Sequence, residues 1–152
     1  MGATASESRA VIDRSFLELT APELYEILRL RCDVFVVEQD CPYPELDGRD
    51  TEAGTRHVWI AGDANDPIAA YARRLDDDDT ARIGRVVTAA SQRGQGLAGE
   101  LVDHLVATHE GDIVLDAQTY LVDWYIARGF VRNGEDFVED GIPHTPMRRS
   151  NG

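Results

Sequence analysis

Alternating and helical spacings of apolar residues divide the chain into predicted strands and helices. Weak alternation over residues 11–19 predicts a first strand. A helix start follows, because Thr20 can cap free backbone amides, Pro22 suits a first helical turn and Glu23 completes a capping box. Apolar residues then recur at helical spacing, so we predict that this helix continues to about Gln39.

The remaining pattern predicts a loop and then alternating strands and helices. Residues 40–55 are rich in Pro, Asp, Gly and Glu, which predicts a structured loop, and the aspartate run at residues 76–79 predicts a solvated turn. We predict strands at residues 57–61, 68–75, 82–88, 113–117, 130–138 and 144–149, and helices at residues 94–109 and 121–128. The order β-α-β-β-β-α-β-α-β-β indicates an α/β (α+β) fold with a mixed sheet, as one domain of residues 1–152 whose residues 1–9 are frayed.

Composition and charge narrow the class of partner. The 152 residues include 28 Asp and Glu against 15 Lys and Arg, which gives a net charge of −13 and a pI near 4.5. A surface this negative repels phosphate backbones and anionic lipids, so we expect neither nucleic acid nor membrane as a partner. No apolar run reaches the ~18 residues of a membrane span or resembles a signal peptide, which predicts a cytoplasmic protein.

All the basic residues are arginines. The absence of lysine fits codon bias in a GC-rich genome, and it equally fits adaptation to high salt, where surface carboxylates keep a protein dissolved. Thermal unfolding from low to molar salt separates the two, because a melting temperature independent of salt would exclude salt adaptation.

Residues that bind metals or form disulfides are sparse. Cys32 and Cys41 are too few for a disulfide framework and lack C-x-x-C spacing, and the histidines form no H-E-x-x-H or related set. We therefore expect no metal site. Residues 1–6 match a myristoylation pattern without an accompanying basic patch, and we interpret them as part of a frayed terminus.

A glycine-rich turn between the fourth predicted strand and the next helix carries the strongest local signal. Gly94 and Gly96 allow close backbone approach, and the amides of residues 94–98 lie at a helix N-terminus, where an anion is favoured. Arg93 adds a positive charge. The turn lacks the G-K-[ST] element of a P-loop. Gly94, Gly96 and Gly99 match the G-x-G-x-x-G dinucleotide string, but the strand comes too late in the order, and no acidic residue follows in the right context.

A second motif downstream gives the turn a more specific interpretation. Trp124-Tyr125-x-x-x-Gly129-Phe130, together with Arg93-x-x-Gly96-x-Ala98, resembles the acetyl-CoA-binding core of the GNAT superfamily of N-acetyltransferases. Separated blocks over most of the chain resemble the ElaA-type branch: residues 30–39 (LRCDVFVVEQ), 41–43 (CPY), 47–48 (DG), 70–73 (AYAR), 83–86 (IGRV) and 139–144 (EDGIPH). The resemblance implies a mixed, mostly antiparallel sheet of about six to seven strands flanked by about three to four helices.

The resemblance also implies that acetyl-CoA is the cofactor and lies along the fourth strand, which pairs with its pantetheine arm like an added strand. Gln118 stands where the superfamily often has Asn, and the pair Ala117-Gln118 is expected in the ElaA-type branch. The residues implied in cofactor binding are Val86, Val87, Thr88, Arg93, Gly94, Gln95, Gly96, Leu97, Ala98, Gln118 and Tyr125.

Acyl transfer from a thioester to an amine needs a base for the amine, donors for the developing oxyanion and an acid for the departing thiolate. The resemblance implies direct attack in a ternary complex, and neither cysteine has a neighbouring histidine to activate it. We predict Tyr125 as the acid, with packing beside Trp124 as the alternative. A backbone amide of Val87 or Thr88 is predicted to meet the oxyanion.

The base has three candidates, Glu38, Asp47 and His144, acting directly or through a water. Each has a structural alternative as well. Glu38 would then be a carboxylate at a helix end, and His144 a paired histidine at the start of a strand.

The acceptor amine, from a small molecule or a peptide, is expected at the loop of residues 40–55. The acidic surplus of this loop would attract a cation, although a solvated acidic loop is the alternative. Arg31, Arg73 and Arg85 interrupt apolar segments, where an unpaired charge is costly. They either pair with Glu38 or Asp47 as part of the structure, or they hold a carboxylate of the substrate. Asp47 is a further candidate for substrate binding.

Three function classes follow from these residues: an N-acetyltransferase, a catalytically silent acyl-CoA-binding or regulatory module on the same fold, and a nucleotide-binding protein. The effect of Tyr125→Phe on turnover separates the first two. Competition between CoA and ATP or NAD for binding separates the third. An unpaired strand edge, or the helix that starts at Thr20, would allow a homodimer.

Overall fold

The chain folds into strands and helices in the predicted order. The computed structural model describes residues 9–151, so predictions for residues 1–8, including the myristoylation pattern, lie outside the described residues. The strands are β1 (Val11–Arg14), β2 (Arg56–Ala61), β3 (Ile68–Asp77), β4 (Thr80–Thr88), β5 (Asp112–Gln118), β6 (Val131–Arg132), β7 (Phe137–Glu139) and β8 (Ile142–Arg149). The helices are α1 (Ala21–Arg31), continued by a π-helical segment (Cys32–Glu38), α2 (Leu97–Ala107) and α3 (Val122–Ile126).

Within residues 9–151 all eight strands form one sheet, in the order β1-β2-β3-β4-β5-β8-β6, with β7 also paired to β8. Neighbouring strands are antiparallel except β4 and β5, which run parallel. This mixed, mostly antiparallel sheet with its helices confirms the predicted fold class. The sheet has more strands than expected because residues 133–136 interrupt the strand predicted at residues 130–138.

Helix α1 begins where the sequence predicts. Thr20 Oγ1 accepts a hydrogen bond from the Glu23 amide (3.2 Å), and the Glu23 carboxylate accepts one from the Thr20 amide (2.9 Å), so the capping box is formed. The predicted length of the helix is confirmed to within one residue, but its last seven residues, Cys32–Glu38, are wound as a π-helix. Such turns are frequent at functional sites, and this one ends beside the cleft described below.

The two faces of the sheet are covered by different helices. Leu101 and Leu105 of α2, both fully buried, pack on one face, and Ile27 of α1, also fully buried, packs on the other. Strand β2 alternates between them, since Ile60 lies in the α2 core and Trp59 in the α1 core. Burial of each such side chain contributes about 1.5–3 kcal/mol, so both helices are firmly held against the sheet.

Several predicted segments differ in extent, among them α2, which covers Leu97–Ala107 instead of residues 94–109, and α3, which covers Val122–Ile126 instead of residues 121–128. The aspartate run contributes only Asp78 and Asp79 to its turn, because β3 continues to Asp77 and β4 begins at Thr80. Asp78 has a φ of 62°, in the left-handed region that aspartate tolerates better than most residues. Strand β1 ends at Arg14, well before the predicted residue 19, because a 3₁₀ turn follows it.

Candidate active site

A cleft opens in the sheet where β4 and β5 separate. The two strands pair over residues 80–82 and 112–114 and then diverge. The cavity between them measures about 520 Å³ and reaches helix α3. The predicted cofactor residues that line it are Val86, Val87, Thr88, Arg93, Gln118 and Tyr125.

A β-bulge shapes the β4 wall of this cleft. Tyr71 pairs with Val87 and Arg73 with Gly84, so two residues of β4, Arg85 and Val86, face a single residue of β3. Arg85 has a φ of 54°, a strained conformation for a residue with a long side chain. Bulges bend the strand that carries them, which fits the departure of β4 from β5.

The glycine turn directly follows Arg93 at one end of the cleft. Gly94 has a φ of 84°, and Gly96, the N-cap of α2, has a φ of 75°, a conformation that favours glycine. A Cβ atom at either position would meet no protein atom within 4 Å, so a ligand can approach this backbone closely. Helix α2 is eleven residues long, and its first amides have no acceptor inside the helix.

The side chains of the turn are engaged or buried within the protein, so the backbone amides are the groups available to bind a ligand. Gln95 accepts a hydrogen bond from Arg9 (3.0 Å) and donates a longer one to Gln92 (3.4 Å). Leu97 is buried in the α2 core and Ala98 is half-buried. An anion at this turn would therefore be held mainly by amides, as at other helix N-termini.

The structure joins Arg93 to Glu38, which the sequence assigned to different roles. The Arg93 guanidinium donates two hydrogen bonds to the Glu38 carboxylate (2.8 and 2.9 Å) and a third, from Nε, to the Thr88 carbonyl oxygen (3.2 Å). Both charged side chains are nearly half exposed. The hydrogen bonds from Arg93 hold the pKa of Glu38 below its usual value, so Glu38 is a poor proton acceptor in this arrangement.

Tyr125 lies in the wall of the cleft at helix α3. Its side chain makes edge-to-face contacts with Trp124 and Phe130, at centroid distances of 4.8 and 5.8 Å. The residue is only 6% exposed, and burial raises the pKa of its phenol to about 12. Tyr125 therefore keeps its proton throughout the neutral range.

His144, on strand β8, also lines the cleft and has a defined tautomer. It pairs across the β5–β8 ladder with Gln118, and both residues line the cavity. His144 Nδ1 lies 2.8 Å from the Ile142 carbonyl oxygen, which can only accept, so Nδ1 carries the proton of the neutral ring. Its Nε2 then has the free lone pair. The Phe137 ring stacks on the imidazole at 5.6 Å and 19°.

A mostly buried ionic network joins α1, β3 and β4 to the loop at residues 40–55, and only Arg85 and Asp47, with side chains 18% and 28% exposed, are not buried. Three arginines meet three carboxylates of the loop at residues 40–55, so the network is neutral as a whole: Arg31, Arg73 and Arg85 with Glu45, Asp47 and Asp50. Arg31, with no exposed surface, donates to Glu45 (2.7 Å) and Asp50 (2.8 Å). Arg73 donates to Asp47 and Asp50, and Arg85 to Glu45 (2.7 Å). We call these six residues the arginine–carboxylate network.

The contacts in the network partly separate the two interpretations of the three arginines, which were pairing within the protein and binding of the substrate. The partners of Arg31 are Glu45 and Asp50, so its expected pairing with Glu38 or Asp47 is wrong. A fully buried guanidinium makes no contact with a substrate, which favours the structural role for Arg31. Arg73 and Arg85 do pair with Asp47 as one alternative predicted, and both also line the cavity.

Asp47, the remaining candidate base, is held in this network. Burial disfavours its charged form, but hydrogen bonds from Arg73 and from the Arg49 amide outweigh burial, and the pKa of Asp47 lies far below its usual value. A carboxylate stabilised in this way does not accept a proton readily. Of the three candidate bases, His144 alone has an acceptor atom, Nε2, that receives no hydrogen bond from a described residue, since both oxygens of Glu38 and of Asp47 accept one.

Sequence reasoning missed several residues at the site. Glu45 and Asp50 were counted only as part of an acidic loop, although they neutralise Arg31. Tyr43 donates to Glu45 (2.7 Å) and lies under Arg85. Cys41 lines the cavity, but burial and nearby carboxylates raise the pKa of its thiol, so it is a poor nucleophile. The sequence signal for Glu45 and Asp50 was the block of charges after the first helix, and that for Cys41 and Tyr43 was the CPY block of the family resemblance, which assigned neither a role.

Two further observations on the described residues concern metal-binding groups and membrane-spanning helices. Within residues 9–151 no group of three or more His, Cys, Asp or Glu side chains is arranged to hold a metal ion. No helix in that part of the chain is both long and apolar enough to cross a membrane.

Comparisons with known proteins agree with this geometry. Residues 32–150 match the acetyltransferase (GNAT) domain family. The UPF0039 protein Rv2851c of Mycobacterium tuberculosis is 46% identical over 137 residues, 87% of each chain. ElaA of Escherichia coli is 42% identical over 140 residues, which cover 87% of this chain and 90% of ElaA.

Solved structures give the same result. The crystal structure of E. coli ElaA superposes with a TM-score of 0.85 and 38% identity, over 94% of this chain and 100% of ElaA. An acyl-CoA N-acyltransferase from Pseudomonas aeruginosa superposes with a TM-score of 0.86 and 38% identity, over 93% of this chain and 99% of that protein. Both likenesses extend over nearly the whole chain.

Proposed function

The chain belongs to the GNAT acetyltransferase family, in its ElaA-like branch, and from that premise we propose that it transfers the acetyl group of acetyl-CoA to the amine of a small molecule or a peptide. One observation carries the proposal: a protonated phenol, an imidazole with a free lone pair and an arginine that leads into an anion-binding turn line a single cleft. These residues are Tyr125, His144 and Arg93.

The described residues fit coenzyme A in charge and in space. The amides at the start of α2 and the open surface over Gly94 and Gly96 suit a diphosphate group. The gap between β4 and β5 offers a strand edge beside Val86 and Val87, along which a pantetheine arm would pair. When bound, acetyl-CoA would supply a thioester whose acetyl carbon leaves sulfur for the amine nitrogen.

Tyr125 acts as the acid. A phenol with a pKa of about 12 is fully protonated at neutral pH, so its proton is available to a departing thiolate, although the raised pKa makes this transfer costlier than from an unperturbed phenol. Its edge-to-face contacts with Trp124 and Phe130 fix the ring in the wall of the cleft. A backbone amide near the bulge, of Val87 or Thr88, donates to the developing oxyanion.

His144 acts as the base. Its Nδ1 is committed to the Ile142 carbonyl oxygen, so Nε2 is the atom that accepts the proton from the amine. Glu38 and Asp47 are less suitable, because arginines pair with both carboxylates and lower their pKa values. One proton thus passes from the amine to His144 and another from Tyr125 to sulfur, which balances the transfer.

A thiol-release assay with acetyl-CoA and a library of amines and peptide amines tests the proposal. We expect release with a subset of acceptors. Tyr125→Phe and His144→Gln should each lower kcat roughly a hundredfold, while CoA affinity stays within about twofold. Tyr25→Phe is the matched control, because Tyr25 is an exposed phenol on α1 that lies away from the cavity.

Two results would contradict the proposal. Unchanged turnover in both site variants would remove the assigned acid and base. Uptake of CoA without thiol release for any acceptor would favour the silent acyl-CoA-binding module instead.

A further inference from the structure

The bidentate ion pair between Glu38 and Arg93 is not explained by catalysis. It joins the end of the π-helical segment to the residue that precedes the glycine turn, and both partners line the cleft. We infer that Glu38 competes with the diphosphate of the cofactor for Arg93 and thereby sets the cofactor affinity. This inference rests on the proposed function, since it concerns the same cofactor site.

The hydrogen bonds of Arg93 are the first argument. Each terminal nitrogen of the guanidinium donates to one Glu38 oxygen, at 2.9 and 2.8 Å, and Nε donates to Thr88. The planar fork that would bind a phosphate is thus occupied by a carboxylate of similar geometry. A phosphate oxygen can gain this fork only when Glu38 gives it up.

The environment of Glu38 is the second argument. Glu38 is the last residue of a helical segment, where the backbone carbonyl ends disfavour a negative charge. Its pairing with Arg93 offsets that cost, and the low pKa of the carboxyl keeps it ionised. Within the described residues Glu38 has no other ionic partner, so it remains a charged competitor at neutral pH.

The exposure of the pair makes the exchange feasible. The side chains of Arg93 and Glu38 are 44% and 47% exposed, unlike the arginine–carboxylate network, where Arg31 and Glu45 are almost fully buried. An exposed pair contributes little to stability, so a doubly charged diphosphate that also meets the free amides of α2 can displace the carboxylate. The ion pair therefore lowers cofactor affinity without blocking it.

Calorimetric titration with CoA tests the inference on the whole chain. We expect Glu38→Gln to tighten CoA binding roughly two- to fivefold, because this is the change in affinity that the loss of an exposed ion pair produces. In an Arg93→Gln background the same substitution should have no effect, since the contested group is gone. Glu139→Gln is the matched control, because Glu139 lines the cavity but has no ionic partner among the described residues, and it should leave the affinity unchanged.

A ligand without the diphosphate sharpens the test. Pantetheine lacks that group, so Glu38→Gln should leave its affinity unchanged. The inference is overturned if Glu38→Gln weakens CoA binding or leaves it unchanged, or if its effect persists in the Arg93→Gln background. In each of these cases CoA still binds and the proposed function stands. Failure of every variant, wild type included, to take up CoA would overturn both.

Discussion

The two sides of the cleft differ in how far their charged and hydrogen-bonding groups are exposed to a ligand. The cofactor side consists of backbone amides, two glycines in the left-handed region and one exposed ion pair between Arg93 and Glu38. The side formed by the loop at residues 40–55 consists of the mostly buried arginine–carboxylate network, in which every charged side chain has an opposite partner. Exposed donors can exchange partners when a ligand arrives. Buried charges cannot, so the second arrangement fixes geometry instead.

The bulge of β4 connects these two sides. Arg85 is strained at a φ of 54°, and its guanidinium donates to both the carboxylate and the carbonyl oxygen of Glu45. The next residues along β4, Val86 and Val87, belong to the predicted cofactor wall. The buried network therefore stabilises the strained backbone from which the exposed cofactor wall extends.

We expect the largest effect from a substitution that disrupts the arginine–carboxylate network. Arg31→Met removes a guanidinium that no water reaches and leaves Glu45 and Asp50 with too little positive charge. We expect a loss of ~3–5 kcal/mol in the free energy of unfolding, measured by urea denaturation. Arg14→Met is the matched control, since Arg14 is exposed on β1, and should change stability by less than about 0.5 kcal/mol. Equal losses in the two variants would contradict a special role for the network.

A similar contrast, between local and long-range contacts, explains which helices and strands could be predicted from the sequence. The apolar spacing and the capping box at Thr20 predict α1, and the glycine turn predicts the start of α2 to within three residues, because these signals are local. The interruption at residues 133–136 reads Asn-Gly-Glu-Asp, and its Asn-Gly pair is a local turn signal that the prediction of one strand over residues 130–138 overlooked. The π-helical winding of Cys32–Glu38 was likewise not predicted, since it leaves the length of the helix unchanged.

The residues that line the cleft near the glycine turn could be predicted from the sequence, and the contacts of the loop at residues 40–55 much less so. Arg93, Gly96 and Tyr125 belong to short motifs whose chemistry follows from neighbouring residues. The partners of Arg31, in contrast, depend on the path of the irregular loop at residues 40–55, which no periodicity describes. Glu38 and Arg93 are 55 residues apart in the chain, so only the fold reveals that they pair.

Acidification should lower the stability of the fold by protonating carboxylates of the arginine–carboxylate network. Burial opposes the charge of Asp47 and Asp50, but their arginine partners outweigh it and lower both pKa values. A lowered folded-state pKa stabilises the fold fully above the unfolded value of ~3.9, and that stability is lost as pH falls through the folded values. We expect the wild type to lose stability steeply below about pH 4.

The Arg31→Met variant sharpens this expectation. With one arginine removed, Asp50 loses a partner that lowers its pKa, so the variant should lose less further stability on acidification than the wild type. Thermal melts between pH 7 and 3 measure the difference. Parallel curves for the two proteins would show that the network does not hold these carboxylates in their charged form.

The central claim is that the backbone of the glycine turn holds the cofactor, and a calorimetric titration with CoA at physiological ionic strength tests it most directly. Gly96 and Gly48 have φ values of 75° and 83°, and neither has a protein atom within 4 Å of an added Cβ, so alanine strains both turns alike. Only at Gly96 does the new methyl group enter the surface that the ligand approaches. We predict that Gly96→Ala weakens CoA binding at least ~10-fold, about 1.4 kcal/mol, whereas Gly48→Ala leaves it unchanged. Equal affinities for both variants, or no CoA uptake by the wild type, would contradict the account.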